Sequence, residues 1–259
     1  MVKLSVVIIT LNEEENIERC LLSVREIADE IVVVDSYSFD KTREICEAFP
    51  VRFIQHKFQG YVEQKRWATE QSVFPYVLSI DADEAISEQL KQSILYIKNN
   101  WKSDGYYFSR FTKYCGRWLN YGSFNPDFKL RLFDKRKGQW AGLNPHDRFE
   151  LQHGASKIKL KGKLLHYSFD KISEHVEQIN SFSTIQANSY YAIGRKASIF
   201  TIIFHSSWRF FQDYILRLGF LDGFQGLTIC INCACCTFLK YVKLRQIIRR
   251  GKVDSNYWA

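Results

Sequence analysis

Apolar and polar positions come in alternating blocks over the first hundred residues. Residues 3–10 are almost unbroken, Leu4-Ser5-Val6-Val7-Ile8-Ile9 closing on Thr10. Residues 13–26 carry Ile17, Leu21, Leu22 and Val24 on or near one helical face. Residues 30–35 are apolar again, and Ile31-Val32-Val33-Val34 runs into Asp35. The same reading predicts a helix over 41–49, a strand over 51–55, a helix over 62–71 and a strand over 76–81. Continuous apolar strands separated by helices imply βαβ units and a mostly parallel sheet covered on both faces. Right-handed crossovers then collect the strand ends at one edge.

The pattern changes after residue 104. Gly105-Tyr106-Tyr107-Phe108, residues 128–133 and Gln139-Trp140 are aromatic and strand-like, and Gly, Asn and Pro separate them. A mixed-sheet extension with long loops is expected there. Residues 157–168 form a short basic strand ending in His166, and 172–192 read as a helix. Residues 197–221 and 224–239 are apolar and helical. The expected division is a catalytic domain over 1–168 and a helical, basic and apolar region over 169–259.

Charge sharpens that division. The chain is +8, with 36 basic and 28 acidic residues among 259. Residues 195–252 hold ten Lys/Arg against Asp213 and Asp222, while the rest balances at 26 of each sign. Basic residues set among aliphatic and aromatic ones fit an anionic membrane surface better than nucleic acid. The run 224–239 is sixteen residues, short for a spanning helix, and fits an embedded or interfacial helix followed by a basic stop over 240–252. The N-terminal run lacks the features of a signal peptide. The expected location is therefore the cytoplasm, peripheral to the inner face of the cell membrane. Seven unevenly scattered cysteines make a poor disulfide framework. Cys230, Cys233, Cys235 and Cys236 read as small hydrophobic residues of a helix rather than metal ligands.

The chemistry concentrates at strand ends. Val77-Leu78-Ser79-Ile80 runs into Asp81-Ala82-Asp83-Glu84. Two carboxylates at the carboxyl edge of an α/β sheet suit a hard divalent cation carrying phosphate oxygens. Taken alone, the acids are equally an acidic turn and helix cap. The other strand ends add Thr10-Leu11-Asn12-Glu13-Glu14, then Asp35-Ser36-Tyr37-Ser38-Phe39-Asp40, with Lys65 on a following helix. Asn12 and Ser38 are also ordinary turn formers, Asp40 a helix cap, and Lys65 a solvated helix position.

In order and spacing these stretches resemble the family-2 glycosyltransferases, the inverting group built on a nucleotide-sugar-binding domain of the GT-A type. Lys129-Leu130-Arg131-Leu132-Phe133, Asn144-Pro145-His146-Asp147, His166-Tyr167-Ser168 and residues 214–226 look like the branch of lipopolysaccharide core β-1,4-glucosyltransferases. The resemblance covers residues 3–245. It implies that Thr10, Glu13 and Asp35 contact the nucleoside, with Asn12, Ser38 and Lys65 completing the donor site. It places Asp81 on the ribose or in the metal shell, and Asp83 on Mg²⁺ or Mn²⁺ at the diphosphate. Ser36 departs from the family, where many relatives carry a second aspartate.

Inverting transfer needs a general base at the acceptor hydroxyl. Asp147 is the candidate, with Glu150 the fallback and Asp127 a weaker one. His146 and His166 are alternatively buried hydrogen-bonding residues, and Lys129 and Arg131 either face the diphosphate or line a strand. The implied partners are a UDP-hexose or other nucleotide-sugar and a glycan or glycolipid acceptor. A sugar nucleotidyltransferase and an inactive membrane-bound scaffold of the same fold are the competing readings. The first strand lacks the Gly-rich loop of the former.

Overall fold

Four of the apolar runs pair side by side. The structure, a computed structural model, describes residues 1–251. Strands β1 (Leu4–Thr10), β2 (Glu30–Asp35), β3 (Arg52–Gln55) and β4 (Tyr76–Asp81) lie in the order β3-β2-β1-β4, all parallel. Helices α1 (Ile17–Val24), α2 (Thr42–Glu47) and α3 (Tyr61–Glu70) connect them. Helix α1 starts later than expected, because residues 13–16 close a turn in which the Asn16 and Ile17 amides both donate to the Glu13 carbonyl. The register sets Thr10 beside Asp35 and Ile9 beside Asp81. Residues far apart in sequence thus meet at one sheet edge.

The aromatic middle of the chain continues the sheet with antiparallel strands. After β5 (Glu84–Ile86) and helix α4 (Glu88–Asn99) come β6 (Gly105–Tyr114), β7 (Arg117–Trp118) and β8 (Asp127–Asp134). A hairpin of β9 (Gly138–Leu143) and β10 (His146–Leu151) follows, and then β11 (Lys157–Phe169). The sheet continues β4-β8-β6-β11-β5, with β7 on β6. This is the expected mostly parallel sheet with a mixed extension. One core lies under α1 and α4 around Val6, Ile8, Leu21, Ile80 and Phe108; another lies around Val7, Val34, Phe133, Trp140 and Phe149. Gly162 has φ of +101°, and a Cβ there would stand 2.3 Å from the Leu90 amide nitrogen. Only glycine lets β11 pass that close to the first turn of α4.

The chain divides into two compact units. The first comprises Met1–Phe111, Asp127–Gly142 and His146–Tyr167. The second takes Thr112–Pro126, Leu143–Pro145 and the chain from Ser168 onward. In the second, α5 (Ile172–Ala192) and α6 (Ile199–Phe211) both pack on α7 (Gly223–Arg250). Helix α7 differs from expectation. It does not stop near residue 239 but carries the basic segment in helical form as far as Arg250, where Gly251 at φ +62° closes it. Of the expected basic stop, Lys252 lies outside the described residues. The apolar stretch 197–221 likewise does not stay one helix. Past Phe211 it winds into a π-helical turn and a 3₁₀ turn at Gly219–Asp222.

Buried acids hold that break. The Asp213 carboxylate accepts hydrogen bonds from Arg209, Arg217 and Ser123, and Asp222 accepts from the Asn120 and Tyr121 amides. A Cβ on Gly226 would stand 2.0 Å from the Gly219 carbonyl oxygen. Among the described residues, the segment Gly219–Arg250 is long and apolar enough to cross a membrane by length and composition, and only 22% of its most apolar stretch is buried. Phe200 and Phe224 are 74% and 70% exposed, and Ile203, Phe204, Trp208 and Phe211 are exposed beside Phe200 on α6.

Candidate active site

The carboxyl edge of β1, β2 and β4 carries a dense cluster of charge. Lys65, on α3, is only 1% exposed, and its Nζ lies 2.8 Å from Asp81 Oδ1 and 3.0 Å from Asp147 Oδ2. Arg131, on β8, is buried as well; its guanidinium donates to Asp147 Oδ2 at 2.9 Å and lies 3.5 Å from Asp81 Oδ2. Two cations and two carboxylates thus interleave. The Trp140 ring stands 5.4 Å from both cationic centres and donates its own Nε1–H to Thr69. Cations packed near an aromatic face at a water-poor site interact strongly. Burial alone would raise the Asp147 carboxyl, but the Lys65 and Arg131 charges and hydrogen bonds hold it far below the ordinary carboxylate range.

A second cluster centres on Asp83. Its Oδ2 lies 3.0 Å from His166 Nε2 on β11, and its side chain is 23% exposed. Burial raises the Asp83 carboxyl, yet the charge and hydrogen bond of His166 bring it below its usual value. Glu84 is fully buried, accepts the Asp81 amide at 3.0 Å and lies 3.6 Å from Arg110, which also binds Asp127. Its carboxyl is raised, first by burial and then by the Asp81 charge. Glu13 is pushed up to about 8 by burial and then by the Asp83 charge.

The nucleoside-side residues are knitted together. Asp35 is fully buried and accepts from the Ser38 amide and hydroxyl and from Gln55 Nε2. The Ser38 hydroxyl in turn receives the Asn12 amide at 2.8 Å, and Asn12 Oδ1 receives the Phe39 amide. Asn12 sits at φ +53°, a left-handed position that asparagine tolerates. The Thr10 hydroxyl is buried with no hydrogen-bond partner among the described residues. Buried polar groups are rarely left so, and one at a strand end invites a ligand.

The structure brings together Thr10, Asn12, Glu13, Asp35, Ser38, Lys65, Asp81, Asp83 and Asp147 within the first unit. It sets Glu150 apart. Along β10 the side chains alternate, so Glu150 is exposed and pairs with Arg148 on the opposite face from Asp147. His146 is exposed rather than buried, whereas His166 is half-buried as a partner of Asp83. Asp127 pairs with Arg110 and Lys129. Of Lys129 and Arg131, each expected either to face the diphosphate or to line a strand, Arg131 enters the carboxylate cluster and Lys129 pairs with Asp127. Sequence reasoning missed Glu84, Arg110 and Trp140. Glu84 had one signal, its place beside Asp83; the other two are legible only through the antiparallel pairing and the β9–β10 hairpin.

Asp81, expected near a metal, is already paired with Lys65 and Arg131. That leaves Asp83 as the carboxylate of the pair that can take a cation without losing an ion pair to lysine or arginine. Among the described residues no three His, Cys, Asp or Glu side chains converge as a protein-only metal cage. This donor set fits Mg²⁺ or Mn²⁺ held by one or two carboxylates with phosphate oxygens supplying the rest.

The family model described as glycosyl transferase family 2 matches residues 5–157. An uncharacterized glycosyltransferase of Rickettsia typhi is 33% identical over 99% of this chain and 92% of its own. The lipopolysaccharide core biosynthesis glycosyltransferase LpsC of Rhizobium meliloti is 27% identical over 94% of this chain and 92% of its own. Among solved structures, S. aureus TarS 1-349 in complex with UDP-GlcNAc aligns with a TM-score of 0.49 and 16% identity, over 96% of this chain and 92% of that one.

Proposed function

The chain belongs to glycosyl transferase family 2, and from that premise we propose that it moves a hexose from a UDP-sugar to a surface-glycan acceptor, with inversion at the anomeric carbon. A lipopolysaccharide core is the acceptor class that the relative LpsC favours. The observation that carries the reading is the cluster of buried Lys65 and Arg131 with half-buried Asp81 and Asp147, beside Asp83 and the unpaired Thr10 hydroxyl.

Thr10, Asn12, Glu13, Asp35 and Ser38 form the nucleoside side. Asp35 acts there by shaping the loop that Ser38 and Asn12 close, and Thr10 offers its free hydroxyl. Lys65 and Arg131 face the diphosphate, whose negative charge grows as the glycosidic bond breaks. Asp83 would hold Mg²⁺ or Mn²⁺, which when bound stabilises the leaving diphosphate as a Lewis acid. Asp81 keeps Lys65 and Arg131 in place.

Asp147 is the general base. It takes the proton of the acceptor hydroxyl, whose oxygen attacks the anomeric carbon while the bond to the UDP oxygen breaks and UDP leaves with its electron pair. In the structure Asp147 is clamped by two cations and is a weak base. A diphosphate that draws Lys65 and Arg131 toward itself weakens that clamp and strengthens the base, so the acid is armed only with donor in place.

The second unit would lie on the inner face of the cell membrane. Exposed Phe200, Phe204, Trp208 and Phe211 offer apolar area, and the exposed Arg249 and Arg250 in the last turn of α7 would meet anionic headgroups. Peripheral docking there also concentrates a lipid-linked acceptor. The test is a UDP-sugar screen with Mg²⁺ and Mn²⁺, following the anomeric proton of the product by NMR. Inverted product and loss of turnover in chelator are expected. A product that retains configuration, or full turnover in excess chelator, contradicts the proposal.

A further inference from the structure

Strand β11 opens Lys157-Ile158-Lys159-Leu160-Lys161-Gly162-Lys163, lysine at every second position. That period sends all four lysines to one face, and all four are exposed. They stand about 6.7 Å apart and the row runs about 20 Å. None has an acidic partner among the described residues. Two meet aromatic rings instead: Lys159 Nζ lies 4.1 Å from the Phe128 ring centre and Lys163 Nζ 3.6 Å from that of Phe111. Phe128 is itself exposed and meets Tyr107 edge-on.

The face can be identified. Residues opposite one another in an antiparallel pair share a face. Ser109 opposes Phe128 and Tyr107 opposes Leu130, so Leu130 shares the lysine face. Leu130 packs on the cluster that contains Trp140. Trp140 lies beside Lys65 and Arg131, the two cations that clamp Asp147. The lysine row and Asp147 therefore share one side of the sheet, the side from which an acceptor hydroxyl must reach its base.

Uncompensated like charges in a row repel one another, so the arrangement costs stability until an anion neutralises it. The interleaved rings of Phe111 and Phe128 add apolar faces on which sugar C–H surfaces can pack. We propose that Lys157, Lys159, Lys161 and Lys163, with Phe111 and Phe128, form the acceptor-docking strip, and that it takes a saccharide bearing carboxylate or phosphate groups. The inference rests on the sugar-transfer reading and specifies its acceptor class. Lysines that merely guard an exposed strand from edge pairing bind no saccharide.

The test titrates the full chain with tetragalacturonate and with neutral tetragalactose by calorimetry, at low and high salt. The wild type should bind the charged oligomer alone, more weakly as salt rises. The variant K159Q/K161Q/K163Q should bind it at least about tenfold more weakly, as loss of three facing charges demands. Its unfolding midpoint should stay or rise. No binding of tetragalacturonate by the wild type, or equal binding by the variant, overturns the strip. Intact saccharide binding with lost retention on phosphatidylglycerol vesicles assigns the row to lipid and also overturns it. UDP release is read separately in the same preparations, so the strip can fail while sugar transfer stands, and sugar transfer can fail while the strip stands.

Discussion

The two units put opposite groups in the wrong place. The first buries charge: Lys65, Arg131, Glu84 and Asp35 all lie out of solvent at one sheet edge. The second exposes oil: Phe200, Phe204, Trp208, Phe211 and Phe224 stand in solvent on α6 and α7. Neither arrangement helps an isolated soluble protein fold. Buried ion pairs often lose to well-packed apolar groups, and large exposed apolar patches mark interaction surfaces. Under the proposed function each exception would be completed by a ligand, a diphosphate at the first and a lipid surface at the second. The second unit does contain buried acids, Asp213 and Asp222, but they cap amides and pair with arginines of the same unit. They fasten a loop and are not poised for a ligand.

The largest effect is expected at Lys65. Removing one partner of a buried charge cluster leaves the others unpaired, so Lys65→Met should cost about 3 kcal/mol or more in unfolding free energy. Adding Asp147→Asn should return part of that loss, because it removes a carboxylate that lysine no longer balances. Denaturant unfolding of the single and double variants checks both. A single variant as stable as wild type would mean that the cluster is solvated and not a buried network.

On the second unit, Phe200→Ser with Phe204→Ser and Trp208→Ser should leave the fold intact and reduce retention on anionic vesicles by at least about tenfold. Even partial burial of three such side chains is worth more than the 1.4 kcal/mol that a factor of ten requires. Unchanged vesicle sedimentation would mean that α6 faces something other than lipid.

Acid should separate the units by pH. His175 is buried, hydrogen-bonded to Tyr114 and Asn232, and lowered to about 4 by burial. Its folded value lies below the unfolded one near 6.5, so the unfolded chain takes up the proton first. Its contribution is complete above about pH 6.5 and is lost as pH falls toward about 4, an effect of up to about 3 kcal/mol. In the first unit, burial opposes the shift of Asp29, but hydrogen bonds from Lys98, the Leu4 amide and Lys3 lower it to about 2. Its contribution is present above about pH 4 and is lost as pH falls through about 2. Near-ultraviolet signals from Tyr114 and from Trp140 should therefore move in different pH windows, the former at the milder one. Replacing His175 with Asn should flatten the milder transition.

Much of the first unit was legible because period and chemistry agree. Four apolar runs each end in polar residues, and a parallel sheet leaves those ends nowhere to go but one edge. The antiparallel extension was visible as aromatic strands, but not its order, since Arg131 and His166 reach the site only through the pairing β4-β8-β6-β11. Strand alternation separated Asp147 from Glu150, which sequence alone left as alternatives. In the second unit the helices were legible and their ends were not. Lys240, Lys243 and Arg245 read as a stop, yet their long aliphatic stems let α7 run on, and Lys243 reaches Asn180, Ser183 and Thr184 on α5. The break after Phe211 depends on the close approach of Gly219 and Gly226, which local pattern does not reveal.

In the proposed function the Lys65–Arg131–Asp81–Asp147 cluster binds a UDP-sugar and Asp147 serves as the base. The most direct measurement is Asp147→Asn against wild type, with UDP affinity read by calorimetry and transfer read by UDP release with Mg²⁺ or Mn²⁺. Turnover should fall by about 100-fold to 10,000-fold, the range for loss of a general base, while UDP binds within a few-fold of wild type. A variant that transfers sugar at the wild-type rate, or that loses UDP binding as completely as turnover, would contradict it.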